Sequence, residues 1–270
     1  MGGRLTVWTV VVRGSNDIGS AIACRLAQDG QRVLIHDGPA PTTTRRGMAF
    51  ADAIFDGEAT LEGIRGIRID TPGAAELMVG TVMLSCSPFV DVLASVSPDI
   101  LIDARMRKRE IPQDVRGLAG LTIGLGPGFH AGKNCHIAIE TSWEDLGRVI
   151  DDGPTLEFRG EPREIGGRQR ERYIYAPVAG RFQTRLNIGE EVSEGEVVAM
   201  INDTPLHAPL SGTLRGLTRD GVPVAERTKV VEVDPRSRES ANFSGIAERP
   251  GRIADGVRRA LAAWTAPRAG

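Results

Sequence analysis

The stretch TVWTVVVRGSNDIGSAIACRL, residues 6–26, joins two apolar patterns through a glycine turn. Residues 6–13 are a near-continuous run of mostly β-branched side chains, which is typical of a strand buried on both faces. After the turn, Ile18, Ile22 and Leu26 recur at helical spacing. The stretch therefore predicts a strand, a tight turn and a helix, which is the opening unit of a parallel α/β sheet.

The rest of the first 150 residues continues this alternation. Short apolar runs bounded by turn residues are typical of buried strands. Because strands that alternate with helices form parallel sheets covered on both faces, residues 1–150 predict a Rossmann-like α/β domain. The expected strands are residues 32–36, 82–86, 99–104, 121–126 and 136–140, with a helix at 88–96.

The character of the chain changes at residues 151–172, where Gly, Pro and charged residues indicate a linker. Beyond it the chain is β-rich and carries an internal repeat. Ala176-Pro-Val-Ala-Gly180 recurs 32 residues later as Ala208-Pro-Leu-Ser-Gly212. Two such halves predict a small pseudo-symmetric β domain, a barrel or a sandwich, over residues 173–235.

The C-terminal segment, residues 236–270, contains one amphipathic pattern. Ile253, Val257 and Leu261 recur at i, i+4 and i+8, with arginines on the other faces. We expect a helix over 248–264 that packs its apolar stripe on the main body.

The first half-repeat, IYAPVAGRFQTRLNIGEEVSEGEVVAMI, resembles the biotinyl/lipoyl, or barrel-sandwich, fold. The second half is degraded, with Arg227 where Gly195 would repeat. Carrier domains of that family attach their cofactor to a lysine in the hairpin between the halves. Here that hairpin, residues 202–207, has no lysine, and the three lysines of the chain are Lys108, Lys133 and Lys229. The resemblance therefore implies the fold without the carrier function, and we expect no covalent biotin or lipoate.

Composition narrows the setting. A net charge of −2 and a pI near 6.1 argue against general binding to nucleic acid or to a membrane surface. No apolar run reaches the ~18 residues of a membrane span. Three widely spaced cysteines suit reduced thiols. These features predict a soluble cytoplasmic protein, and they leave open whether it forms a homo-oligomer.

The first candidate site is the turn after the first strand. A dinucleotide-binding turn would read G-x-G-x-x-G, and here Gly14 is followed by Asn16 where the second glycine would stand. The amides of the following helix could still bind phosphate, although Asp17 competes for the same helix dipole. Asp37 follows the second strand, where a ribose-binding acid would lie. The alternatives are NAD(P) binding and a structural turn with Asp17 as helix cap.

Two further candidates are basic loops that follow strands. Arg45 and Arg46 could bind a phosphate or carboxylate bidentately, or could be solvated or pair with nearby acids such as Asp52. Asp103 ends a strand, where ligands bind in open α/β sheets. The positive charges that follow it, either ligand-binding or a solvated turn, are Arg105, Arg107, Lys108 and Arg109.

The fourth candidate is the stretch GLGPGFHAGK, residues 124–133. Its backbone amides could form an anion-binding nest, with Gly126 and Gly128 allowing close approach and Lys133 adding a charge, or it could be a structural hinge. A metal site is not expected, because a strand would send Cys135 and His136 to opposite faces. The basic and glycine-rich loops at strand ends should converge on one edge of the sheet. That convergence favours a pocket for an anionic small molecule.

Taken in order, these segments resemble the accessory proteins of the selenium-dependent molybdenum hydroxylase system. The resemblance rests on RGSNDIGSAIACRL, TTTRRGMAFADAIFDGEATLEGI, DILIDARMRK, GLGPGFHAGKNCHIAIET, LGRVI, EIGGRQRER and the two A-P-x-x-G units. It implies a maturation factor whose partner is a molybdenum hydroxylase, and it does not specify a reaction.

On this interpretation the ligand is a nucleotide-like anion, either a pterin dinucleotide cofactor or its precursor, or another nucleotide. Residues 124–132 and Lys133 would hold phosphate, Arg45 and Arg46 would clamp it, and Asp17 and Asp103 would orient polar groups or act in catalysis. The β domain would help to dock the client enzyme. The alternatives are an NAD(P)-dependent oxidoreductase and a scaffold protein without chemistry.

Overall fold

The described part of the chain, residues 6–107, 110–160 and 162–265 of a computed structural model, is dominated by one large sheet. Its nine strands are β1 (Thr9–Arg13), β2 (Arg32–His36), β3 (Glu58–Leu61), β4 (Ile64–Arg68), β5 (Thr81–Ser85), β6 (Ile100–Asp103), β7 (Leu121–Leu125), β9 (Ile137–Ile139) and β10 (Val149–Ile150). The four helices are α1 (Asp17–Gln28), α2 (Ala53–Asp56), α3 (Phe89–Val96) and α4 (Glu248–Thr265).

The strands lie in the order β10-β9-β7-β6-β1-β2-β5-β4-β3. All neighbours are parallel except at the two edges, where β3 and β10 run antiparallel to the strands beside them. The prediction of a mixed α/β fold with a mostly parallel sheet and a C-terminal helix is confirmed. A short ladder of β8 (His130–Ala131) and β11 (Gly153–Pro154) lies outside the large sheet.

The centre of the sheet is the strand predicted from residues 6–26. Val10, Val11 and Val12 of β1 are all fully buried. Val10 and Val12 pack in the core that contains residues of α1 and α4, whereas Val11 packs in the core on the α3 side. Burial on both faces explains why β1 shows no alternation of polar and apolar residues.

The hairpin of β3 and β4 was not predicted. Its turn is Glu62-Gly63, and both residues have positive φ, 50° and 78°. Two-residue hairpins favour turns of this kind, but the strongest sequence signals are Asn-Gly and Asp-Gly. Glu-Gly is a weaker signal, and the flanking strands carry several charged and small residues.

The region from residue 173 to 234 forms two four-stranded antiparallel sheets, and we call it the β region. One sheet has the order β12-β19-β17-β14 and the other β16-β15-β13-β18. The strands are β12 (Tyr173–Tyr175), β13 (Gly180–Gln183), β14 (Glu191–Val192), β15 (Val197–Ile201), β16 (Thr204–His207), β17 (Gly212–Leu217), β18 (Pro223–Val224) and β19 (Lys229–Asp234).

The internal repeat maps strand for strand onto these sheets. Three strands of the first half, β13, β14 and β15, each begin 32 residues before a strand of the second half, namely β17, β18 and β19. When each strand is replaced by its counterpart in the other half of the repeat, the strand order of one sheet becomes the strand order of the other. Each sheet therefore contains strands from both halves of the repeat.

Helix α4 packs on the main body as predicted. Ile253, Val257 and Leu261 are buried in the core beside α1. Trp264, near the helix end, contacts Trp8 before β1, with 4.9 Å between ring centroids. Among the described residues no helix combines the length and the apolar character that crossing a bilayer requires.

One buried carboxylate, Glu232 on β19, connects the β region to the α/β region. Arg45 binds both oxygens of Glu232, at 3.0 and 3.1 Å, through Nε and Nη2, and its Nη1 donates to Asp17 Oδ2 at 2.9 Å. Arg172 and Lys229 also donate to Glu232, at 2.9 and 3.0 Å. We call this contact between the two regions the seam.

Replacing Glu232 with Gln should lower the free energy of unfolding by about 3–5 kcal/mol, because the cations around it would lose their buried counter-charge. The measurement is denaturant unfolding of the full chain. Glu194→Gln, on an exposed turn of the same region, is the matched control and should change stability by roughly 0.5 kcal/mol or less. Equal effects of the two variants would contradict the role of Glu232.

The seam should also loosen in acid. Burial alone would raise the pKa of Glu232, but Lys229 and Arg45 outweigh it and hold the pKa well below 4.5. Because the pKa of Glu232 is higher in the unfolded chain than in the folded chain, the unfolded chain binds more protons. Glu232 therefore stabilises the fold above about pH 4.5, and this stabilisation is lost as the pH falls through the lower pKa of the folded state. Denaturation measured from about pH 7 downward should show a steeper loss below pH 4.5 in the wild type than in Glu232→Gln. Parallel profiles would contradict this assignment.

Candidate functional site

The candidate site lies at the carboxyl edge of the large sheet, where the parallel strands end. After β1 the chain continues to β2, which lies on one side of β1 in the sheet, and it later returns to β6, which lies on the other side. In open α/β sheets such a reversal of strand order leaves a crevice in which ligands bind. Arg13 ends β1 and is in register with His36 of β2 and Asp103 of β6. These three residues therefore lie side by side at the edge.

The first predicted segment forms a tight structural turn at this crevice. Asn16 caps α1, because its Oδ1 accepts from the amides of Ile18 and Gly19 at 3.0 and 3.1 Å. Its Nδ2 donates to the carbonyl of Ala104 at 2.8 Å, after β6. Gly14 has a φ of 107°, and a Cβ there would lie 3.0 Å from the same carbonyl. Asn16 therefore takes helix amides that a phosphate would use, and it ties β1 to β6.

The two acids predicted near this turn also have protein partners. Asp37 Oδ2 accepts from the amide and the hydroxyl of Ser15, both at 2.7 Å. Asp17 accepts from Arg45 instead of capping its own helix. Burial would raise the pKa of Asp17, but Arg45 more than offsets this and lowers it. Asp17 is therefore an ionised acid at the seam.

The predicted arginine pair separates. Arg45 joins Asp17 to Glu232 at the seam, as described above. Arg46 binds Asp52 at 2.7 Å and donates through Nε to the carbonyl of Leu217 at 2.8 Å. Pairing of Arg46 with Asp52 is the alternative that the sequence left open. The two guanidinium groups thus have different partners, and Arg46 connects the α/β region to β17.

Asp103 lies between two guanidinium groups. Arg105 binds it bidentately, with Nε–Oδ1 and Nη2–Oδ2 distances of 3.0 and 2.5 Å. Arg13 Nη1 lies 3.6 Å from Oδ2, and the Arg13 guanidinium stacks 3.8 Å from the centre of the Phe89 ring. One carboxylate therefore faces two positive charges, and the group is left with an excess of positive charge.

Arg13 is incompletely satisfied. It is 7% exposed, and its Nε and Nη1 atoms are buried without a hydrogen-bond partner. Burial, together with the charge of Arg105, lowers its pKa to about 10, and Asp103 opposes this only in part. Buried donors without acceptors are uncommon in folded proteins and each requires an explanation. Arg13 therefore has hydrogen-bonding capacity that Asp103 does not use.

The glycine-rich loop forms the far wall of this site. Gly126 and Gly128 have φ values of 84° and 86°. A Cβ at Gly126 would lie 2.9 Å from Thr141 Oγ1, and one at Gly128 would lie 2.8 Å from Pro112 Cδ. These glycines therefore allow a left-handed backbone and a close approach to protein groups.

Most amides of the loop donate within the protein. The amides of Gly126 and Phe129 donate to the carbonyls of Ile139 and Gly126, and that of His130 donates to Asn134 Oδ1. Those of Gly132 and Lys133 donate to the carbonyls of Cys135 and His130. An anion held by this loop would therefore compete with existing bonds, and side chains are the more available donors.

Between this loop and the segment after β6 lies a cleft of about 120 Å³. Sites that enclose a drug-sized ligand usually measure about 300–1,000 Å³. The cleft therefore suits one small group of a ligand, such as a phosphate or a carboxylate, better than a whole dinucleotide. Its walls include Asp103, Arg105 and Met106 on one side and Leu125, Pro127 and Phe129 on the other.

The remaining predicted charges lie at the margin. Lys133 is exposed in the turn after β8. Arg107 pairs with Glu110 at 2.8 Å on the surface. Lys108 and Arg109 lie outside the described residues. Cys135 is buried and His136 is exposed, but both precede β9, so the observed strand does not include them. The described residues hold no group of metal ligands.

The four predicted segments do meet at this edge. Asn16 contacts the segment after β6, and Met106 of that segment lies against Gly126. Arg45 reaches Asp17. The sequence prediction did not include Arg13, Lys229, Glu232 or Arg249. For Arg13 a signal existed, because a charged residue at the end of an apolar strand, next to a glycine turn, lies at the carboxyl edge.

Comparison with known proteins gives one clear relative. No family model matches the chain. It is 38% identical over 258 residues to the uncharacterized protein YqeB of Escherichia coli (strain K12). That match covers 93% of this chain and 47% of YqeB, so the chain spans about half the length of the curated relative it matches.

Solved structures offer only weak likenesses. An aspartoacylase family protein from Mesorhizobium loti is 13% identical with a TM-score of 0.24, over 74% of this chain and 56% of that one. A succinylglutamate desuccinylase/aspartoacylase from Rhodobacter sphaeroides is 15% identical with a TM-score of 0.25, over 84% and 85%. The ectoine utilization protein EutE (DoeB) from Ruegeria pomeroyi is 10% identical with a TM-score of 0.28, over 84% and 85%. TM-scores this low do not establish a shared fold.

Replacing Asn16 with Ala should lower the free energy of unfolding by about 1–2 kcal/mol, because both the helix cap and the bond to Ala104 are lost. Asn16→Ser, which retains a capping oxygen on a shorter side chain, should recover part of this loss. Denaturant unfolding measures both. If the two variants were as stable as the wild type, the Asn16 bonds would not hold this turn together.

Proposed function

We propose that the chain is an accessory factor for a molybdenum hydroxylase and that it binds a nucleotide-like anion at the cleft. The observation that carries the ligand part of the proposal is the pair of cations on Asp103. Arg105 lines the cleft, and Arg13 beside it is buried, with Nε and Nη1 lacking a hydrogen bond. The client is proposed from the resemblance of the segments around this site to the accessory proteins of the selenium-dependent molybdenum hydroxylase system.

Charge supports an anion as the ligand. Arg13 and Arg105 share the carboxylate of Asp103, and a phosphate or carboxylate of the ligand would balance the excess. Arginine suits this role because its planar fork binds such groups with two hydrogen bonds. Asp103 would keep the fork of Arg105 oriented between ligand-binding events.

The size of the cleft supports partial enclosure. A space of about 120 Å³ holds one charged group, and the rest of the ligand would extend outward past the exposed side chain of Ile111, which is 96% exposed. A factor that delivers a cofactor must release it. A site that holds the ligand by one end suits that task better than a deep enclosure.

The β region is proposed to adopt a barrel-sandwich-like arrangement and to dock the client. Its two sheets exchange under the pseudo-symmetry of the repeat, which fits the resemblance to the biotinyl/lipoyl fold. The hairpin between β15 and β16 turns at Asn202-Asp203 and carries no lysine. Docking, and not carriage of a covalent cofactor, is therefore the proposed role.

The geometry supports NAD(P)-dependent oxidation less well. That chemistry would use the helix amides at α1 and the acid after β2. Asn16 occupies the amides of Ile18 and Gly19, and Ser15 occupies Asp37. A dinucleotide would have to displace both sets of bonds.

Native mass spectrometry of the freshly purified chain should detect a retained nucleotide or pterin, and Arg105→Gln should reduce its occupancy. In titration with ADP as a probe, the same variant should bind about 10- to 150-fold more weakly, because one charge-assisted hydrogen bond is worth about 1.5–3 kcal/mol.

The matched control is Arg116→Gln. Arg116 pairs with Asp114 two residues earlier, as Arg105 does with Asp103, but it is 41% exposed. The Arg116→Gln variant should bind ADP with the same affinity as the wild type. Equal weakening in both variants, or no retained ligand and no ADP binding, would contradict the proposed ligand class, and the scaffold alternative would then stand.

A further inference from the structure

A second cationic site lies at the seam, on the opposite face of the large sheet from the cleft. Asp103 shares the face of Leu101, two residues before it, which packs on the α3 side. Asp17 begins α1, which packs on the other face. Around Asp17 lie four residues from four other segments of the chain, and we call this group the seam recess. Its members are Asp17, Arg45, Tyr173, Lys229 and Arg249.

The partial exposure of these side chains indicates a depression in the surface. Burial lowers the pKa of Lys229, although Glu232 opposes the shift, and it also lowers the pKa of Arg249, which Asp17 opposes. Even so, the Lys229 side chain is 28% exposed, and those of Arg45 and Asp17 are 20% and 16% exposed. Groups that are closely surrounded yet reachable by solvent lie at the floor of a depression.

Positive charge is in excess there. Arg45, Lys229 and Arg172 donate to Glu232, while Arg45 alone also reaches Asp17. Arg215 adds a further positive charge 3.7 Å from Glu232. The residue is 7% exposed, and its Nε is buried without a hydrogen-bond partner.

Arg249 extends the positive charge to α4. It donates through Nε and Nη2 to the carbonyl of Thr141, at 3.1 and 2.9 Å. Asp17 and Glu140 act on its charge, and Asp234 acts on that of Arg215. Five cations therefore face four carboxylates, and one of these, Asp234, is also bound by Arg236. Ionic groups that served only to join the two regions would be expected to balance.

The internal repeat provides a comparison within the same molecule. The positions equivalent to Lys229, Glu232 and Arg215 lie 32 residues earlier, and they are Val197, Met200 and Gln183. The same sheet architecture therefore forms without these charges in the other half. The charges are a property of the half that faces the α/β region and are not a requirement of the fold.

The donors suit a tetrahedral anion. The Lys229 ammonium has three hydrogens and gives one to Glu232, and it also lies 4.5 Å from the centre of the Tyr173 ring. Arg249 uses Nε and Nη2 and keeps Nη1 for another acceptor. A compact ammonium and a guanidinium at the floor of one recess match a phosphate group.

We propose that the seam recess binds a phosphate-type polyanion through Lys229 and Arg249, separately from the ligand proposed for the cleft. The shared chemistry is a pyrophosphate or phosphate ester. Because Lys229 belongs to the β region and Arg249 to α4 beside the α/β region, the bound anion would connect the two regions. This goes beyond the proposed accessory role, since that role needs only the cleft.

The test is calorimetric titration of the full chain with inorganic pyrophosphate at fixed ionic strength, with ADP as a second arm. The wild type should bind pyrophosphate, and Lys229→Gln and Arg249→Gln should each weaken binding at least about tenfold. Arg227→Gln removes a positive charge from an 87% exposed side chain of the same region and should leave affinity unchanged. Lys229→Arg keeps the positive charge and should retain most of the pyrophosphate affinity of the wild type.

Arg105→Gln separates the two proposals, because it alters the cleft and leaves the seam recess intact. It should weaken ADP binding at the cleft without changing pyrophosphate affinity. Loss of pyrophosphate binding in Arg105→Gln, or equal effects of Lys229→Gln and Arg227→Gln, would overturn the seam proposal. So would an absence of pyrophosphate binding by the wild type. If Lys229→Gln fails to fold, Arg249→Gln decides, and unchanged affinity in it would overturn the proposal.

Discussion

The two-region structure depends on one buried carboxylate. Glu232 is fully buried on β19, and Arg45, Arg172 and Lys229 donate to it from three separate segments. Removing a charge of this kind costs far more than losing a surface ion pair, because its partners would remain buried and unneutralised. The network fixes where the β region meets the carboxyl edge, so the seam recess depends on it. The cleft lies on one side of that edge and the seam recess on the other.

Much of the fold could be predicted from the sequence, because the periodic signals are local. Residues 32–36 were expected as a strand and form β2, and the helix expected at 88–96 becomes α3 (Phe89–Val96). The repeat was visible because Ala-Pro-x-x-Gly recurs, and it maps onto matching strands. The hairpin of β3 and β4 was missed, since its Glu-Gly turn and its charged strands give no strong local signal.

The site could be predicted only in part. Loops at strand ends converge because parallel strands end at one edge, and by that rule Asp103 and the glycine-rich loop were expected together; Asp103 and Pro127 line one cleft. The sequence could not indicate which arginine meets which acid. Arg45 and Glu232 are 187 residues apart, and no spacing rule relates them. Arg13 was overlooked because it ends an apolar run. It lies in register with Asp103, yet two of its nitrogens have no hydrogen-bond partner.

The interleaving of the repeat has a consequence for how this chain can be divided. Each four-stranded sheet takes two strands from each half, so a fragment that ended at the hairpin of β15 and β16 would carry incomplete sheets with unpaired edges. Exposed edges of this kind recruit strands from other molecules. Two chains could therefore exchange halves and rebuild both sheets between them, with the same pairings as in one chain.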